Sequence, residues 1–224
     1  MVILSAKKLV KEYGTANAKT RVINDIDLDI REGDFIAITG ESGSGKSTLL
    51  YLLAGLEHPD GGIVTYLGNN LSQMKDVQSA KLRRNGISFV YQFYNLINNL
   101  SIYDNIVLPK KIDSSFSLDE KKFLEELIDV AQLQHILKKL PAQVSGGEQQ
   151  RAAIVRALFV RPKVILLDEP TGNLDSANAL KIMSLLTDIN TRYNTTVVMV
   201  THSAELSLYA KRIVTLKDGR IHNA

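Results

Sequence analysis

Hydrophobic and polar positions change rhythm several times along the chain, and each change predicts an element. INDIDLDI (23–30) alternates apolar with acidic or amide residues, the pattern of a strand with one face buried, and REGD (31–34) supplies the turn after it. FIAIT (35–39), KVILLD (163–168) and TTVVMVT (195–201) are instead continuous apolar runs, as expected of strands covered on both faces. KSTLLYLLAGL (46–56) predicts a helix after the first of these, and ANALKIMSLLTDI (177–189), apolar at helical spacing, separates the other two. Strands alternating with helices in this way predict a parallel sheet with crossover connections. Near the end, RIVTLKDGRI (212–221) sets Asp218-Gly219 between two strand-like runs, a hairpin signal.

Between about Asn95 and Val160 the strand signals fade. SLDEKKFLEELIDVAQL (117–133) opens with a capping box, Ser117 and Glu120, and carries apolar residues at Leu118, Leu124, Leu127, Ile128 and Ala131. The prediction is one domain over 1–224. Its α/β core, with a mixed sheet and an antiparallel β layer, comprises 1–94 and 161–224, and a helical lobe, 95–160, is inserted into it.

Composition narrows the function. Of 224 residues, 45% are hydrophobic and 23% charged, an ordinary globular balance able to bury a sizeable core. The 27 basic and 24 acidic residues give a net charge of +3 and are scattered, so no nucleic-acid partner is expected. There is no cysteine, which removes disulfides and thiolate metal sites and fits a reducing compartment. No apolar run approaches the ~18 residues of a membrane span, and no leader pattern opens the chain, so a cytoplasmic location is expected.

The candidate chemistry lies in three places. GESGSGKST (40–48) has the spacing of a phosphate loop, placed between a predicted strand and a predicted helix. Gly40, Ser42, Gly43, Ser44, Gly45 and Thr48 would let successive N–H groups curl around a polyphosphate. Lys46 would neutralise its outer phosphates and Ser47 would offer a hard oxygen to Mg²⁺. VILLDE (164–169) ends a buried strand in two carboxylates, where Asp168 can reach the metal and Glu169 can orient or deprotonate a water. In QVSGGEQQRAAIVRAL (143–158), Ser145, Gly146 and Gly147 precede a helical pattern, so a hydroxyl, free amides and a helix dipole converge on a second anion site. Taken singly, each has a plainer reading: a glycine turn, an acidic turn after a core strand, a helix cap.

Together these segments resemble the ATP-binding cassette (ABC) family over essentially the whole chain. GESGSGKS is similar to the Walker A loop, Gln92 in FVYQFYNL to the Q-loop, VSGGEQQ to the signature, VILLDE to Walker B, GNLDS (172–176) to the D-loop and His202 in VTHS to the switch histidine. The resemblance implies a phosphate-loop fold of ABC type and an ATPase that uses ATP and Mg²⁺. It implies a head-to-tail dimer with a second copy, in which the signature of one copy closes over ATP held by the other. Tyr13 in KEYG would stack on adenine, Gln92 would touch the metal or the attacking water, and His202 would bond the γ-phosphate; His58, His135 and His222 are given no such role. Val144 stands where the family commonly has leucine, and Glu148 where many members have glutamine. EQQR, DEPTGNLDS and QFYNL resemble the branch serving lipoprotein release, macrolide export, antimicrobial-peptide resistance and cell division.

That resemblance implies a separate integral membrane permease as partner, docked near Phe93, Tyr94 and LINNLSIYDNIVL (96–108), which would hold the chain peripherally on the inner face of the membrane. The same apolar residues could simply pack the helical lobe. Two other classes remain open at this point: a soluble ABC ATPase acting on DNA or ribosomes, and a small-molecule kinase, against which the signature argues.

Overall fold

The alternating run and the continuous runs fold into two different sheets. The computed structural model describes residues 1–15, 18–74, 82, 86–111 and 116–223. In chain order its first half contains β1 (Val2–Thr15), β2 (Ala18–Arg31), β3 (Phe35–Thr39), α1 (Lys46–Leu53), β4 (Gly61–Tyr66), β5 (Asn69–Asn70), β6 (Ile87–Val90) and α2 (Ile102–Lys111). Then come α3 (Leu118–Val130), α4 (Gly146–Phe159), β7 (Val164–Asp168), α5 (Ser176–Tyr193), β8 (Thr196–Val200), α6 (Ala204–Ser207), β9 (Arg212–Lys217) and β10 (Arg220–Asn223). Among the described residues, one sheet has the antiparallel order β2-β1-β4-β5 and the other the order β10-β9-β3-β8-β7-β6. Only β10 runs antiparallel in the second, so the predicted mixed sheet and antiparallel layer are both present.

The continuous runs are apolar because both faces of their sheet are covered. Phe35, Ala37, Ile165, Leu167, Val197 and Met199 point into a cluster with the helices α2 to α5. Ile36, Ile38, Val164, Leu166, Val198 and Val200 point the other way, into a cluster with α1 and the antiparallel sheet. Alternation within each strand thus separates two cores on opposite faces of one sheet.

Several local features depart from the sequence pattern. In INDIDLDI the buried residues are Ile23, Ile26, Leu28 and Ile30, so the alternation slips once between Ile23 and Ile26. Asp25, at φ 56°, and Lys8 on the paired strand, at φ 47°, mark the irregularities where the pairing register shifts, and the bulge returns Ile23 to the buried face. The Ser117/Glu120 capping box of α3 is formed as expected. Leu118, however, is 71% exposed and does not belong to the apolar face made by Leu124, Leu127 and Ile128. It lies six positions before Leu124, which at 3.6 residues per turn puts the two roughly 120° apart around the helix. The predicted hairpin is present: Asp218 (φ 48°) and Gly219 (φ 71°) both take the left-handed conformation that a two-residue turn requires.

Helix α2 carries Pro109 and is apolar on one face only, with Ile102, Ile106 and Val107 buried. Fully buried Asn105 fixes the segment before it: its Oδ1 accepts from Ile97 N–H at 2.6 Å, and its Nδ2 donates to the carbonyls of Ile97, Leu100 and Ser101. Those bonds satisfy a loop backbone that has no ladder of its own. Among the described residues no helix is long and apolar enough to cross a membrane.

The two faces of α3 should separate in a stability experiment. Leu127→Ala, which empties a buried position, is expected to cost about 2–5 kcal/mol, whereas Leu118→Ala should stay within about 0.5 kcal/mol. Urea denaturation followed by circular dichroism measures both, and equal losses would contradict the assignment of the buried face.

Candidate functional site

Four adjacent parallel strands, β3, β8, β7 and β6, deliver the candidate residues at their carboxyl ends, where open α/β sheets place ligands. The glycine loop follows β3, Thr201 and His202 follow β8, Asp168 and Glu169 end β7, and Gln92 follows β6. Tyr13, Gly43, Lys46, Ser47, Glu169 and His202 share the walls of one cleft of about 290 Å³, which Ser42, Gly45 and Thr48 also line.

The loop is built for an anion. Gly45 caps α1 at φ 99°, and a Cβ there would lie 2.7 Å from the Val22 carbonyl, so the turn tolerates glycine alone. No side chain caps the helix and no acidic residue sits in its first turn, which leaves its N–H donors and the positive end of its dipole facing the cleft. Lys46 is buried, and its Nζ donates to the carbonyls of Gly40 and Glu41 at 2.9 and 2.8 Å. Burial lowers its pKa, against the pull of Glu169 and Asp168, so a polyphosphate would relieve a cation short of solvent. The Ser44 hydroxyl, also buried in the loop, has no hydrogen-bond partner among the described residues.

At the floor, the Ser47 hydroxyl donates to Asp168 Oδ1 at 2.9 Å and the Tyr51 hydroxyl to Oδ2 at 3.1 Å. Burial, then the neighbouring Asp168 charge, pushes the Tyr51 phenol up to about 12, so it remains a donor. Tyr51 was not foreseen from the sequence. Its position four residues after Ser47, on the same face of α1, was the available signal. Among the described residues there is no cluster of three acidic, histidine or cysteine side chains to cage a metal. One carboxylate and one hydroxyl form a partial donor set that would suit Mg²⁺ completed by phosphate oxygens and water rather than an all-protein cage.

Glu169 stands over this floor in a left-handed conformation, φ 46°, held by its N–H bonding to the Val200 carbonyl. His202 Nε2 lies 2.6 Å from its Oε1, and Gln92 Nε2 donates to its Oε2 at 3.4 Å. Gly172 keeps the carboxylate clear, since a Cβ there would come within 3.2 Å of Oε2. Tyr13 is 41% exposed at the cleft rim, its hydroxyl donating to Glu57 Oε2 at 2.5 Å.

Ser145, Gly146 and Gly147 are placed elsewhere. Ser145 is exposed at the start of α4 and does not line the cleft. Its helix is nonetheless tied to the Gln92 loop. Arg156 on α4 donates to the carbonyls of Asn95 and Tyr94 at 2.6 and 2.9 Å, and both residues have positive φ. A Cβ on Gly146 would lie 2.8 Å from the Tyr94 hydroxyl. Nothing in the sequence distinguished Arg156 from any surface arginine. Of the residues expected near a partner, Phe93 is 72% exposed and Ile97 and Tyr103 are also exposed. Tyr94 and Leu96 are partly buried against the helical cluster, and Ile102, Ile106 and Val107 lie within it, because their side chains cover the sheet.

Known proteins are similar to this chain in sequence and fold. A family model described as ABC transporter matches residues 23–172. The lipoprotein-releasing system ATP-binding protein LolD of Hydrogenovibrio crunogenus is 41% identical over 218 residues, covering 97% of this chain and 95% of the relative. The macrolide export ATP-binding/permease protein MacB of Chlorobium luteolum is 42% identical over 211 residues, 94% of this chain but 32% of that larger protein. The dimeric, post-hydrolysis structure of the ATP-binding cassette MJ0796 bound to ADP and Pi superposes with a TM-score of 0.90 at 36% identity, covering 99% of this chain and 97% of the other. With a family model over residues 23–172 and relatives that match it along nearly the full length, the chain belongs to the ABC transporter family as an ATP-binding cassette.

Proposed function

We propose that the chain is the ATP-hydrolysing subunit of a membrane transporter or mechanotransmission complex of the lipoprotein-release and macrolide-export kind, and that it works as a dimer closed around ATP. The observation that carries this reading is the separation of two anion half-sites on one chain. Lys46 and the open end of α1 face the cleft, while Ser145 at the end of α4 is exposed outside it. Two copies in head-to-tail arrangement would let each triphosphate meet one half-site of each kind, and its charge attracts both. A dimeric relative with ADP and Pi supports this arrangement.

In this reading Tyr13 stacks on adenine and the loop 40–48 grips the phosphates. Ser47, Asp168 and Gln92 would hold Mg²⁺, which would neutralise charge on the β- and γ-phosphates. Glu169, fixed between His202 and Gln92, accepts the proton of a water that attacks the γ-phosphorus. The bond to the bridging oxygen breaks, leaving ADP and phosphate. His202 then shares its hydrogen bond between Glu169 and the γ-phosphate. Residues 95–160 act as the lobe that carries the signature. An integral membrane permease docks beside it at exposed Phe93, Ile97 and Tyr103 and keeps the chain on the inner face of the membrane.

Glu169→Gln should keep ATP affinity and lower turnover by about 10²- to 10⁴-fold, with an ATP-bound dimer accumulating in light scattering; near-normal phosphate release would remove Glu169 from the role. Lys46→Ala should weaken nucleotide binding itself, and undiminished affinity in calorimetry would contradict its assignment. Ser145→Glu, which sets a like charge against the triphosphate, should leave binding by the monomer intact and abolish dimerisation. Purification of a tagged copy in mild detergent tests the membrane partner, since no co-purifying integral membrane protein would count against it.

A further inference from the structure

Ser145 has one hydroxyl proton, and the structure directs it at a carboxylate. The hydroxyl donates to Glu148 Oε2 at 2.8 Å, and the Ser145 N–H donates to the same oxygen at 2.8 Å. In return Ser145 Oγ accepts from Glu148 N–H at 3.3 Å, completing a capping box at the start of α4. The other carboxylate oxygen, Oε1, lies 2.9 Å from Nε2 of His135, which sits on the short helical turn Gln134–Ile136 that precedes α4 in the chain. Burial disfavours charge on Glu148, but the bonds from the Ser145 backbone, the Ser145 hydroxyl and His135 outweigh it and hold the pKa at about 2. The group is therefore an acceptor only, and His135 Nε2 is the donor. Arg151, on the next turn of α4, donates through Nε to the Ala131 carbonyl, and its charge also attracts the Glu148 carboxylate without a hydrogen bond to it among the described residues, so His135 is the side chain outside α4 that bonds Oε1.

This geometry poses a difficulty for closure. An arriving γ-phosphate would face a carboxylate, and Ser145 could bond it only by turning its proton away from Glu148. With glutamine at 148 the capping oxygen would remain and the charge would vanish; here the charge remains and a histidine holds its far oxygen. We infer that His135 is a positioning residue for ATP-driven closure: its bond to Oε1 fixes the Glu148 carboxylate as a cap and draws its charge away from the face that Ser145 presents to the partner copy's triphosphate. The inference rests on the two-copy reading above.

His135 is 61% exposed in its side chain, so truncation should not disturb the core. The test is carried out in full-length Glu169→Gln protein with Mg·ATP, reading the monomer–dimer equilibrium by sedimentation and the monomer's ATP affinity by calorimetry. His135→Ala should weaken dimerisation about a hundredfold, roughly tenfold for each of the two His135–Glu148 bonds in the closed pair, the scale of a hydrogen bond to a charged group, with monomer affinity unchanged. His135→Gln, which keeps a donor, should recover most of the loss. With Glu148→Gln also present, His135→Ala should have no effect, a result that a merely structural histidine would not give. An unchanged dimer constant in His135→Ala, or an equal loss with and without Glu148→Gln, would overturn the inference. If the Glu169→Gln parent stays monomeric with Mg·ATP, the two-copy reading fails instead.

Discussion

A parallel sheet buried on both faces is the constraint from which the site follows. Because β3, β8, β7 and β6 are neighbours running in one direction, their ends share one edge: the loop after β3, Glu169 and His202 line the cleft, while Asp168 and Gln92 join it through their bonds to Ser47 and Glu169. The two apolar clusters that cover this sheet hold the strand ends rigid, so the loop 40–45, Asp168, Glu169, Gln92 and His202 are fixed against one another by the core rather than by their own contacts. The polar bonds then settle the details: Ser47 and Tyr51 aim Asp168, and His202 and Gln92 aim Glu169.

The proposed second half-site obeys a different logic. Ser145 is presented by a helix whose side packs on α2 and whose Arg156 holds the turn after Gln92. Arg156 therefore ties α4 directly to the backbone of the turn after Gln92. The Tyr94 hydroxyl against Gly146 makes this a steric link as well as a hydrogen-bonded one. The start of α4 and the surroundings of Glu169 thus lie on either side of one short stretch of backbone, 92–95.

Much of this could be read from the sequence because the relevant constraints are local. A continuous apolar run, a glycine loop and a helix start sit within a few residues of each other at 35–53, and two carboxylates end an apolar run at 164–169. The strands β1, β4, β5 and β6 and the helices α2 and α6 went unread as individual elements: four residues of ISFV carry too little pattern, and Pro109 inside α2 argues against a helix that tertiary packing nevertheless supports. The bulge at Asp25 was hidden because a nearly regular alternation conceals a single slip. Tyr51 and Arg156 were hidden for a further reason. Their partners, Asp168 and the carbonyls of Tyr94 and Asn95, lie far away in the sequence, so only the folded chain brings them together.

The position of β6 at the margin of the larger sheet has a consequence for how the molecule breathes. Among the described residues it ladders with β7 alone, whereas β3 and β8 are each flanked on both sides. On this side of the sheet, transient opening of the hydrogen-bond ladder should therefore begin at the strand that leads into Gln92, and amide protons of Ile87–Val90 should trade with solvent before those of β3. The part of the cleft nearest the proposed membrane partner can in this way loosen while the phosphate cradle stays shut.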